Sequence, residues 1–68
     1  MKYAIIIEKG ANNFSAYVPD LPGCVATGAT EAEVTELLRE TIQMHMDGLR
    51  EDGEPIPEPT TSTAYVAV

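Results

Sequence analysis

The sequence predicts an α+β fold: a single β-β-β-α-β domain with one helix packed on a four-stranded mixed sheet of order 3-2-1-4. Three observations carry this. Short runs rich in β-branched and aromatic residues occupy the chain before residue 30 and return after residue 63. Between them lies one stretch with apolar residues at helical spacing. The two regimes meet in residues 20–33, where a tight-turn signal is followed by a helix-start signal. At 68 residues the chain has room for one domain, spanning 1–68.

Residues 1–8 form the first predicted strand. Tyr3, Ile5 and Ile7 share one face, Ala4 and Ile6 the other, so the strand is apolar on both sides and belongs at a sheet centre. Residues 9–13, with Gly10, Asn12 and Asn13, supply the hairpin turn. The second strand covers residues 14–18 and ends at Pro19, which has no N–H for a ladder. Leu21-Pro22-Gly23-Cys24 fits a type II turn, with proline pre-setting φ and glycine taking φ > 0. A third strand follows over residues 24–29, and Gly28 within it marks a bulge or a close backbone approach.

Thr30 and Glu33 form a capping box: the hydroxyl takes the Glu33 N–H and the carboxylate reaches back to the Thr30 N–H. The helix predicted behind it runs over residues 31–52. Val34, Leu38, Thr41, Ile42, His45 and Leu49 make its apolar stripe, and Gly53 is a natural C′ residue. Prolines at 55, 57 and 59 impose an extended connector. Residues 64–68 then read as a fourth strand, lying parallel to the first after a right-handed crossover.

Eleven acidic residues against four basic give a net charge of −7. Such a surface repels phosphates, so direct nucleic-acid binding is not expected; a basic protein partner suits it. No apolar run is long enough to cross a membrane and no secretory leader precedes the first strand, so a cytoplasmic location is expected. A chain this short buries only about 60% of its unfolded surface. With one cysteine there is no internal disulfide, which makes self-association the expected remedy.

The residues that could carry chemistry do not assemble into a site. Cys24 has no neighbouring base and reads as a structural thiol, since the one histidine lies far along the helix. His45 sits on the apolar stripe, as a core or rim imidazole. Asp20 shapes the turn; only if the fold brought Glu8 beside it would it offer paired-carboxylate or metal chemistry. Neither a phosphate loop nor a basic aromatic stripe is present. The expectation is a non-enzymatic protein with no cofactor and no metal. Tyr17 and the turn Asp20, Leu21, Pro22 and Gly23 are the candidate partner contacts. Ala4, Ile6, Met44 and Met46 are the candidate oligomer interface.

The residues 3–8 strand, Asp20-Leu21-Pro22-Gly23-Cys24, Gly28-Ala29-Thr30 with Glu33, the helix bearing His45 and Gly53-Glu54-Pro55-Ile56-Pro57 together resemble the HicB-like family of antitoxins. The resemblance covers nearly the whole chain. It implies a compact domain related in outline to a partial RNase H-like or dsRNA-binding-domain-like fold. It also implies masking of a small basic, mRNA-cleaving toxin of the HicA type, and assembly into dimers or higher oligomers. Many members carry a C-terminal DNA-binding module that is not found in these residues. The alternative expectation is an orphan homo-oligomeric scaffold module with no toxin.

Overall fold

A computed structural model describes residues 1–68. The elements are β1 (Ile6–Lys9), β2 (Phe14–Tyr17), β3 (Val25–Gly28) and α1 (Glu31–Glu51). The strands form one antiparallel sheet in the order β1-β2-β3. Register aligns Ile6 with Tyr17 and Tyr17 with Val25, then Ile7 with Ala16 and Ala16 with Ala26. Successive residues alternate between faces, so Ile7, Ala16 and Ala26 share one face and Ile6, Tyr17 and Val25 the other.

The helix covers the first of these faces. Val34 and Leu38 meet Ala16, Val18, Leu21 and Cys24 in a core whose six members are each at most 3% exposed. Tyr3, Ile5, Ile7, Phe14 and Ala26 pack around it from the sheet. Both buried helix residues lie among the first eight of the helix. At 1.5 Å per residue α1 is about 31 Å long, whereas a four-residue strand spans about 13 Å. Ile42 still packs against the core, and the helix beyond it extends past the paired strands.

Both ends of α1 are built by the sequence. Thr30 has extended backbone, and its Oγ1 accepts from the Glu33 N–H at 3.0 Å. The Glu33 carboxylate returns to the Ala29 N–H at 3.2 Å, one residue earlier than a standard capping box places it. A Cβ on Gly28 would stand 3.0 Å from the Val34 nitrogen and 3.2 Å from Glu33 Oε1, so the close approach expected at Gly28 is between strand and helix start. At the far end Gly53 takes φ 68°. Its N–H donates to the Arg50 carbonyl at 3.2 Å and that of Glu54 to Leu49 at 2.8 Å, a Schellman closure.

The four-stranded mixed sheet of order 3-2-1-4 is corrected to three antiparallel strands. Residues 64–68 form no strand and make no backbone hydrogen bond, and Tyr65, Val66 and Val68 are fully or almost fully exposed. The RNase H-like or dsRNA-binding-domain-like outline, which needs that strand, has no support in this sheet. The first strand is likewise not central: residues 3–7 are all half-buried, and pairing begins only at Ile6. The helix packs mainly over β2 and β3, and the chain beyond Thr61 takes up no ladder with the β1 edge, which stays unpaired.

Candidate protein-binding face

The sheet has one covered and one open face. On the open face Ile6, Tyr17 and Val25 form a row across all three strands. Tyr17 is 41% and Val25 63% exposed, and Ile6 is half-buried. Ala4 continues the alternation toward the chain start. Beside this row runs a polar one, Glu8, Ser15 and Thr27. An apolar strip bordered by hydrogen-bonding groups and one carboxylate suits a protein surface with apolar residues at its centre and donors at its rim.

Next to this face stands the turn. The Cys24 N–H donates to the Leu21 carbonyl at 3.1 Å and Gly23 has φ 88°, as a type II turn requires. The Val18 N–H donates to the Cys24 carbonyl at 3.2 Å, which extends the β2–β3 ladder up to the turn. Of the candidate contacts, Tyr17, Pro22 and Gly23 are exposed. Leu21 is not: it is fully buried, and its side chain belongs to the core rather than to a contact surface.

Asp20 is engaged within the chain. Its two carboxylate oxygens accept from the Thr60 and Thr61 N–H groups at 3.1 and 3.0 Å and from their hydroxyls at 3.1 and 2.8 Å. The hydrogen bond from the Thr61 backbone, then that from its hydroxyl, does most to hold the carboxyl pKa below its ordinary value. The Tyr3 hydroxyl donates to the Pro57 carbonyl. The β1–β2 register continued outward puts Tyr3 opposite Asp20, so these two residues fasten residues 57–61 across one end of the sheet. This clamp has no local sequence signal, because its halves lie 40 residues apart.

The residues proposed for self-association fall on different surfaces. Ala4 and Ile6 lie on the open face of the first strand. Met46 borders a depression between that strand and α1, with Tyr3, Ile5, Leu38 and Ile42. Met44 points elsewhere on the overhanging helix and is 74% exposed. Val25 was not among the candidates from sequence, although its place two residues before Thr27 in a strand facing Tyr17 puts it on the open face.

Other candidate chemistry remains dispersed. Burial pushes the Cys24 thiol pKa up, which disfavours the reactive thiolate. Glu8 pairs in register with Ser15, five positions from the level of Asp20, or about 16 Å along the strand. No three His, Cys, Asp or Glu side chains converge to hold a metal ion. His45 is half-buried. No helix is long and apolar enough to cross a membrane.

Comparison with known proteins places this geometry. The HicB-like antitoxins of bacterial toxin–antitoxin systems match over residues 3–67. A 14.9 kDa protein of the rep–hol intergenic region of Haemophilus phage HP1 is 36% identical over 66 residues, 97% of this chain and 50% of the phage protein. A UPF0150 protein of Archaeoglobus fulgidus is 37% identical over 57 residues, covering 79% of this chain and 83% of its own length. One of Helicobacter pylori is 36% identical over 69% of this chain and 65% of its own. The chain thus spans only half to two thirds of the phage and Helicobacter proteins. Among solved structures, a chain of the HicA3 and HicB3 toxin–antitoxin complex superposes with TM-score 0.72 at 33% identity, over 88% of this chain and 70% of that one. With the sheet, the turn and the helix all inside the matched region, the chain belongs to the HicB-like antitoxin family.

Proposed function

We propose that this domain binds and masks a small basic toxin of the HicA type, an mRNA-cleaving enzyme, and is itself not catalytic. The observation that carries the reading is the open sheet face. Ile6, Tyr17 and Val25 stand in one uncovered row on a domain whose fold matches a chain from a toxin–antitoxin complex. The net charge of −7 favours the encounter with a basic partner, and apolar burial at the row would then set the dissociation rate. Masking needs no general base, metal or cofactor. An mRNA-cleaving target implies action in the cytoplasm.

Self-association belongs to the same proposal. Only six of 68 residues are buried, a small core for a domain that must stand alone, and a dimer or larger assembly would cover more of it. An orphan scaffold would share this property, so the toxin arm decides between the readings. Co-expression with a HicA-type toxin should relieve its toxicity, and a tagged domain should retain the toxin on a column. Toxicity unrelieved and toxin unretained, with the domain folded, would leave the scaffold reading in its place.

A further inference from the structure

The first strand and the last residues of the chain are both unsatisfied. β1 is an edge strand whose outer N–H and C=O groups have no ladder. Residues 4–7 are apolar on both faces, with Ile5 and Ile7 toward the core side and Ala4 and Ile6 toward the open side, while β1 ends in the exposed charges Glu8 and Lys9, and no residue from 3 to 7 is fully buried. Edges of this kind are normally covered, charged or interrupted by proline. Here α1 lies over β2 and β3 instead, which leaves the depression along Tyr3 and Ile5 open.

Residues 64–68, Ala-Tyr-Val-Ala-Val, have the composition of a strand without a partner. They form no backbone hydrogen bond, and Tyr65, Val66 and Val68 stand in solvent. Their starting point is fixed. Asp20 grips Thr60 and Thr61, Tyr3 binds Pro57, and only Ser62 and Thr63 intervene before Ala64. The segment therefore leaves the domain at the end where the first strand begins, and Tyr65 borders a depression shared with Ile5 and Ile7.

Charge selects the occupant of the edge. α1 carries six acidic against two basic residues, and both arginines are already paired, with Glu36 at 3.2 Å and Asp47 at 3.4 Å. A second acidic chain is repelled there. By contrast Lys2 precedes the first strand and Lys9 ends it, against the single carboxylate of Glu8; none of the three is in an ion pair, and residues 60–68 carry no charged side chain. The first-strand edge is thus where another copy can approach at least electrostatic cost, bringing an uncharged apolar strand.

We infer that residues 62–68 of one chain add as a strand to the β1 edge of a second copy, and that the exchange is reciprocal across a two-fold axis. The inference rests on the self-association reading and specifies its structural basis. Strand addition satisfies the edge groups of β1 and buries the apolar side chains of the segment in one step. Reciprocal exchange closes the assembly at two copies, without the open-ended association that an exposed edge invites. Holding the take-off point at Asp20 reduces the conformational freedom lost when the strand docks.

The test compares the full chain with V66P, which removes one ladder N–H in a segment that the single-chain fold does not use. Sedimentation velocity over a concentration series and amide hydrogen exchange of residues 3–7 and 64–68 are the readouts. The expected result is a wild-type dimer in which both segments gain protection together as concentration rises. V66P should weaken dimerisation by roughly tenfold or more, the equivalent of about 1.4 kcal/mol, and lose protection in both segments. A V66P dimer as tight as wild type overturns the exchange and leaves self-association standing. Protection of both segments in the monomer overturns it too, since the strand would then pair within its own chain. A wild-type monomer at all concentrations overturns the exchange and the self-association reading together.

Discussion

Two residues in the Asp20–Cys24 turn are side by side and do unlike work. Leu21 is a core side chain, so Leu21→Ala should cost about 2–5 kcal/mol, read as a lower urea midpoint. For a domain this small that is much of the whole stability. Asp20 is a clamp. Its hydrogen bonds hold the folded-state pKa below the unfolded value. The stabilisation it gives is therefore present above the unfolded pKa and is lost as pH falls through the folded one. In an acid titration the amide resonances of Thr60 and Thr61 should shift together with that carboxyl, and amide exchange at both should rise. In Asp20→Ala both amides should be unprotected at neutral pH while the core amides of Ala16 and Val18 are unchanged. Residue chemistry was legible where the signal was local: Pro22 and Gly23 announced the turn, and Thr30 the cap. It was not legible for Asp20, whose partners lie 40 residues away.

Among the elements, the helix was the most readable, because its start, stripe and stop are encoded within one segment. Only its overhang escaped the periodicity, which reports a face but not the length of sheet beneath it. Thr30→Ala should lower stability by about 1 kcal/mol through the lost cap. Gly28→Ala should also destabilise, because its Cβ would press on the Val34 nitrogen and the Glu33 carboxylate that closes the cap. Thermal melts of the two variants and their double mutant should show less than additive losses, since both act on the same helix start. The strands were legible in number up to the third. Composition marks residues 64–68 as strand-forming, but a strand exists only when an edge receives it. Here the chain before that segment is fastened by Tyr3 and Asp20 and the segment meets no edge, which no local pattern records.

For the molecule as a whole, charge and family are legible in the sequence. The acidic excess predicts that association with a basic partner slows as ionic strength rises, with most of the salt dependence in the on-rate. Stopped-flow mixing across a salt series checks this, and a salt-independent on-rate would count against electrostatic steering. Composition alone does not assemble the proposed contact row, because Ile6, Tyr17 and Val25 are brought together by register across three strands. The sequence already marks Tyr17 of that row as a candidate partner contact and Ile6 as a candidate interface residue; Val25 is marked as neither, and Leu21 of the turn is buried.

The central claim is that the open sheet face holds the toxin. Titration calorimetry of the domain with a catalytically inactive HicA-type toxin, comparing wild type with Val25→Arg, addresses it most directly. Val25 is well exposed, so the fold should tolerate the change. A new positive charge at the β3 end of the row should weaken binding to a basic toxin by roughly 30-fold or more, the scale of a 2 kcal/mol hot spot. Equal affinity for the two proteins, with unchanged melting behaviour, would contradict the account and place the toxin on another surface.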